Sequence, residues 1–148
     1  MTQNKVKKEN IITNLDANSK QEVIEKMVKV LHHNGYISDE KGFVAAVYER
    51  ESQITTGIGN NVAIPHGKSE LVRESTVMVA KLKNSVDWNS FDDKPVNLVF
   101  LLAIKDEDRG DAHLRILAEL SAKLMDDDFL NGVKEASTQE EIYNAVAF

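Results

Sequence analysis

The sequence predicts an α/β fold, a central mixed β-sheet flanked by helices on both faces. Short apolar or β-branched runs, Asn10 to Leu15, Thr76 to Leu82 and Val96 to Ile104, alternate with stretches whose apolar residues recur at helical spacing. The longest run, Val96-Asn97-Leu98-Val99-Phe100-Leu101-Leu102-Ala103-Ile104, is almost unbroken, the pattern of a central strand covered on both sides. At 148 residues, with 42% hydrophobic and 28% charged residues, the chain has the length and composition of one globular domain, taken as residues 1–148.

Asn10-Ile11-Ile12-Thr13-Asn14-Leu15 reads as the first strand, and Asp16 to Ser19 as a turn whose serine caps the next helix. From Lys20 to His33, Val23, Ile24, Met27, Val28 and Leu31 form one helical stripe, which Gly35 ends. Ser38 before Asp39 and Glu40 predicts a second capped helix, carried by Phe43, Val44, Val47 and Tyr48 to about Ser52. A glycine-punctuated loop follows, Thr55-Thr56-Gly57-Ile58-Gly59-Asn60-Asn61-Val62-Ala63-Ile64-Pro65-His66-Gly67. A strand over Thr76 to Leu82 comes next, then a connection containing Asp87-Trp88-Asn89, and Pro95 opens the central strand. Leu114, Leu117, Ala118, Ser121 and Leu124 mark a third helix with His113 at its start. Phe129 to Glu135 and Thr138 to Val146 complete the chain as short helices, the last capped by Ser137 or Thr138. Strand order is not encoded in this pattern.

The formal net charge of −6 argues against nucleic acid, because a phosphate-backbone binder needs a surplus of lysine and arginine. Lys5, Lys7 and Lys8 beside Glu9 read as a solvated terminus. With no cysteine there is no disulfide, thiolate nucleophile or sulfur-ligated metal, which suits the cytoplasm. No apolar run approaches the roughly 20 residues of a membrane span, and the polar start lacks a signal-peptide core, so any membrane role is expected to come through a partner.

Four histidines are present, and two occupy positions suited to chemistry. His32 and His33 end a helix, where adjacent side chains diverge and an imidazolium gains from the macrodipole, so a capping or surface role is expected for both. His66 lies between Pro65 and Gly67 beyond two further glycines, which predicts an exposed imidazole held by the surrounding backbone. A neutral imidazole is a competent nucleophile, although a turn histidine satisfied by a backbone carbonyl would read the same way. Gly67 would let another molecule's backbone approach closely. His113 opens a helix, where free N–H groups attract anions, with a local bond to Asp111 as the alternative.

Arg50, in Tyr48-Glu49-Arg50-Glu51, reads first as a surface arginine paired with a neighbouring glutamate, and second as a guanidinium fork for a phosphoryl group beside the Gly57–Gly59 loop. Asp106, Glu107, Asp108 and Asp111 read as a solvated loop face. There is no Walker loop, since Gly67-Lys68-Ser69 lacks the upstream glycine, and neither a Gly-x-Ser-x-Gly elbow nor a His-Glu-x-x-His pair.

Taken together, Asn10-Ile11-Ile12, Tyr48-Glu49-Arg50-Glu51, Thr56-Gly57-Ile58-Gly59, Ala63-Ile64-Pro65-His66-Gly67, Pro95 to Leu102 and His113-Leu114 through Leu117-Ala118 to Leu120 resemble, in order, the enzyme IIA domain of the fructose–mannitol family of the bacterial phosphoenolpyruvate-dependent sugar phosphotransferase system. The resemblance implies a phosphoryl relay in which His66 accepts the group on Nε2 from the phosphocarrier protein HPr and passes it to a IIB domain. It further implies that His113 is a second active-site histidine and that Arg50 steadies the transferred group, with no cofactor or metal required. No IIB or membrane IIC segment occurs in these 148 residues, so the resemblance places those parts in other chains. Asn61 departs from the small residue common there in the family. A regulator whose phosphorylation state controls a partner protein, as in nitrogen-linked branches, is the second function this resemblance implies.

Overall fold

The computed structural model describes residues 6–106 and 111–147, without the side chains of 111–114. Its elements run β1 (Val6–Leu15), α1 (Lys20–His33), α2 (Glu40–Glu51), β2 (Gly57–Gly59), β3 (Val62–Ala63), β4 (His66–Ser69), β5 (Thr76–Val86), β6 (Val96–Lys105), α3 (Asp111–Leu124), α4 (Asp127–Glu135) and α5 (Gln139–Ala145). One six-stranded mixed sheet has the order β1-β5-β6-β3-β2, with β4 also paired to β6. The β1–β5 pair is parallel and β5–β6 antiparallel, while both β3 and β4 lie parallel to β6.

The alternation of side chains along the strands builds two cores. On β6, Val99, Leu101 and Ala103 join Met78 and Ala80 of β5 beneath α1 and α2. Leu98, Phe100, Leu102 and Ile104 join Val77 and Val79 beneath α3, α4 and α5. The nearly continuous apolar run of β6 therefore follows from burial on both faces.

Most predicted elements stand at or near their expected ends, and the differences have local causes. Helix α1 spans Lys20–His33 with Ser19 accepting from the Glu22 N–H, as its stripe predicts. Helix α2 is capped by Asp39, whose carboxylate accepts from the Gly42 N–H at 3.0 Å, and not by Ser38. Ser38 is held instead by the Leu71 carbonyl, which accepts from its N–H and its hydroxyl. Strand β1 begins at Val6, so Lys7 and Lys8 belong to a strand and not to a loose terminus; Lys8 pairs with Glu140 at 2.8 Å and lies 5.1 Å over the Tyr143 ring.

The largest difference is the glycine-punctuated stretch, which is three short strands and not a loop. Gly59 pairs with Val62 across Asn60 and Asn61, with φ of 57° and 68°, the left-handed pair of a tight hairpin that asparagine tolerates better than most residues. That requirement accounts for Asn61. The chain then runs along one edge of β6 twice, through Val62 and Ala63 opposite Leu98 and Val99, and through His66 to Ser69 opposite Leu102 to Lys105. Pro65 sits at the break, where a missing N–H is harmless and its carbonyl accepts from Leu102 at 3.0 Å.

Helix α5 is started by a capping box. Thr138 accepts from the Glu141 N–H at 3.1 Å, and the Glu141 carboxylate accepts from the Thr138 N–H at 3.1 Å and from the Ser137 hydroxyl at 3.1 Å. Hydrogen bonding from the Thr138 side chain first, then from the Ser137 side chain and the two backbone N–H groups, holds the Glu141 carboxyl below its ordinary range. The stabilisation is present above the ordinary carboxylate pKa and is lost as pH falls through the depressed one. Thr138→Ala is expected to lower stability by about 1 kcal/mol at neutral pH. It is also expected to flatten the acid limb of thermal unfolding followed against pH.

Candidate active site

The site is assembled where α2 crosses the β4 edge. In parallel register His66 stands beside Leu102 and Lys68 beside Ile104, so both share the face covered by α3, while Gly67 faces α2. A Cβ on Gly67 would lie 3.1 Å from Phe43 and from Val47. The absent side chain therefore admits this protein's own helix, not a partner's backbone as the sequence suggests, and brings the last turn of α2 over the edge strand.

On that last turn, Arg50 donates from Nε to His66 Nε2 at 3.1 Å and from a terminal guanidinium nitrogen to the Ile54 carbonyl at 3.1 Å. The pairing of Arg50 with a neighbouring glutamate is thus replaced by contact with the histidine, and the Gly57–Gly59 segment is not its partner. Glu51 turns inward and meets Lys20 at 2.7 Å.

His66 is partly buried, and its Nδ1 lies 3.1 Å from the Ile64 carbonyl. A carbonyl can only accept, so Nδ1 carries the proton; Nε2 then holds the lone pair and accepts from Arg50. Two hydrogen bonds thus fix the tautomer that makes Nε2 the nucleophilic atom. The satisfied-turn reading and the nucleophile reading describe one arrangement, because the carbonyl bond is what prepares the other nitrogen.

The ring and the guanidinium open into a cleft of about 440 Å³ lined also by Ala46, Gln53, Lys68 and Leu117. Lys68 carries no functional motif in the sequence; its place two residues after His66 on a strand is the signal that puts both side chains on one face. Its ammonium is 3.9 Å from the Asp106 carboxylate, a loose pair near the cleft mouth. Of the acidic loop, 107–110 and the Asp111 side chain lie outside the described residues. His113 stands in the first turn of α3, one turn before Leu117 of the cleft wall, and its side chain is likewise outside the described residues. His32 approaches Glu40 at 3.2 Å, in keeping with a surface role at the end of α1.

A larger groove of about 530 Å³ runs between α1 and α2 over Val44, Ala45 and Tyr48, but no histidine or arginine lines it. Among the described residues there is no group of three histidine, cysteine, aspartate or glutamate side chains able to hold a metal, and no helix long and apolar enough to cross a membrane.

Residues 4–147 match the family described as the phosphoenolpyruvate-dependent sugar phosphotransferase system, EIIA 2. The chain belongs to this family. Membership in the EIIA 2 family implies a phosphotransfer role. Among relatives, a fructose-specific EIIABC component of the system from Bacillus subtilis is 34% identical over 139 residues, covering 94% of this chain and 22% of the relative. The chain thus spans about a fifth of the length of the first curated relatives it matches. A nitrogen regulatory protein from Bradyrhizobium diazoefficiens is 32% identical over 140 residues, covering 94% of this chain and 90% of the relative. The crystal structure of nitrogen regulatory protein IIA-Ntr from Neisseria meningitidis superposes with a TM-score of 0.87 at 25% identity, covering 96% of each chain. IIA mannitol from Escherichia coli shares the fold, with a TM-score of 0.79 at 24% identity over 96% of this chain and 99% of that one. The mixed sheet with helices on both faces is therefore the EIIA fold.

Proposed function

We propose that residues 1–148 act as a cytoplasmic phosphoryl relay: His66 accepts a phosphoryl group on Nε2 from phosphorylated HPr and delivers it to a IIB domain that serves a membrane IIC component. The observation that carries this reading is the orientation of one ring, with Nδ1–H on the Ile64 carbonyl and Nε2 against Arg50 at the cleft.

Transfer breaks the N–P bond of the donor histidine as the Nε2–P bond forms, in line, through a loose transition state whose charge spreads over three equatorial oxygens. The incoming group takes the Nε2 lone pair, so the Arg50 N–H leaves nitrogen for a phosphoryl oxygen while its second donor stays on Ile54. Little movement is needed, and charge is met by a donor already in place. The product ring carries positive charge while Nδ1 keeps its proton, and the Ile64 carbonyl stabilises that form. A protonated ring is the better leaving group, so the same bond that prepares the nucleophile prepares the onward step.

Incubation with phosphoenolpyruvate, enzyme I and HPr should add one phosphoryl group in an acid-labile, alkali-stable linkage, and purified IIB should discharge it. An unchanged mass overturns the relay. His113, at the start of α3 near the cleft wall, is assigned to the exit step. His113→Ala is expected to leave phosphorylation intact or slowed and to impair discharge to IIB, measured by rapid quench; wild-type rates in both steps remove it from the site.

The near full-length match to a nitrogen regulatory protein favours a second reading, control of a partner protein by the phosphorylation state of His66. Phosphorylation by HPr with no discharge to any IIB, together with partner binding that differs between the two forms, would select it.

A further inference from the structure

Behind the cleft, four side chains form a buried polar chain that the transferred group does not reach. The Glu51 side chain is 5% exposed, pairs with the Lys20 ammonium at 2.7 Å and accepts from the Thr56 hydroxyl. Thr56 in turn accepts from the Trp88 indole N–H at 3.1 Å. Thr56 and Trp88 are 2% and 1% exposed, and the Lys20 ammonium lies 5.6 Å over the indole. The hydroxyl has one proton, given to the carboxylate, and a free lone pair, given to a donor-only indole, so the hydrogens of Thr56 and of the Trp88 indole are both assigned. Beside it, Thr55 donates its hydroxyl to the Trp88 carbonyl at 2.7 Å and accepts from the Gly57 N–H at 3.1 Å.

A buried carboxylate is expensive to desolvate and weak evidence for stability alone, which directs attention to what this one holds. The Thr56 carbonyl accepts from the Ile64 N–H at 3.0 Å, and the Ile64 carbonyl accepts from His66 Nδ1 at 3.1 Å. Two residues before Thr56, the Ile54 carbonyl accepts from Arg50 at 3.1 Å. One anchored residue therefore lies between the carbonyl that aims the guanidinium and the carbonyl that aims the ring.

We propose that Glu51 and Thr56 are positioning residues for phosphoryl transfer, the buried Lys20–Glu51–Thr56–Trp88 chain fixing the backbone whose Ile54 and Ile64 carbonyls orient Arg50 and His66. The proposal rests on the relay reading of His66. Neither residue touches the phosphoryl group. Their effect passes through the direction of two hydrogen bonds, and small errors of direction are costly in a step that depends on alignment.

Thr56→Val keeps shape and backbone while removing the hydroxyl. In ¹⁵N–¹H correlation spectra of the imidazoles, His66 is expected to pass from a single Nδ1–H tautomer in the unmutated protein to a mixture. Turnover with phospho-HPr should fall about tenfold with little change in KM, and Thr56→Ser should restore both. Glu51→Gln still accepts from Thr56 but loses the charge facing Lys20, and should shift both readouts less and in the same direction; it decides the matter if Thr56→Val does not fold. A merely structural chain would lower the melting temperature of these variants and leave tautomer and turnover unchanged, and that result overturns the proposal, as does a mixed tautomer in the unmutated protein. The tautomer readout needs no phosphoryl donor, so a protein that HPr does not phosphorylate at all would overturn the relay and still leave the positioning of His66 and Arg50 to be judged by the spectra.

Discussion

His66→Ala is expected to abolish phosphorylation by phospho-HPr while leaving the fold and melting temperature close to those of the unmutated protein. The loss is complete because the substitution removes the atom that forms the bond, whereas every other change at the site leaves a nucleophile behind. His32 and His33 cannot stand in: they lie at the far end of α1, and His32 is directed at Glu40. Stability should change little, since the ring is only partly buried on an edge strand and its hydrogen bonds to Arg50 and to the Ile64 carbonyl are worth about 1 kcal/mol net each. His66→Gln is a stricter form of the test, because a polar side chain is kept and nucleophilicity lost. Mass spectrometry of the intact protein after incubation with the phosphoryl donors checks both. Undiminished incorporation in either variant, mapped to another residue, would remove His66 from the relay.

How far this site can be read from sequence depends on the range of each interaction. Helix α1 is legible to its end residues because its stripe, its Ser19 cap and its stop are all local. The role of β6 is legible because burial on both faces removes polar residues from almost every position. The stretch from Thr55 to Gly67 is read as a loop because the three strands that run through it, the last continuing to Ser69, are two to four residues long, too short for alternation to show; β2 exists through its hairpin with β3, and β3 and β4 through pairing with the distant β6. Gly67 is correctly singled out and wrongly explained: sequence shows that a side chain is missing, but only the packing of Phe43 and Val47 shows what fills the space. Arg50 carries the same lesson. Its glutamate neighbours are visible in the sequence, whereas its partners Ile54 and His66 become neighbours only when α2 ends over β4. Glu51 gives no sign of its setting, since a buried ion pair with Lys20 spans two helices and leaves no local pattern.

Arg50→Ala is expected to slow phosphoryl transfer by about 10²–10³-fold, the scale of losing a preorganised donor to developing charge. The arginine makes two bonds in different directions, one to Nε2 and one to the Ile54 carbonyl, and the second keeps the guanidinium in place when the first is surrendered to the phosphoryl group. That division of labour needs a planar fork. Lysine supplies the charge as a point and cannot hold Ile54 while donating from a second fixed position, so Arg50→Lys should recover only part of the lost rate. The defect should lie in the transfer step: single-turnover kinetics with phospho-HPr are expected to show a lower limiting rate at saturation, with the half-saturating donor concentration moved much less. A limiting rate within a few-fold of the unmutated protein in Arg50→Ala, or full recovery in Arg50→Lys, would show that the contact at 3.1 Å orients a resting ring and takes no part in stabilising the migrating group.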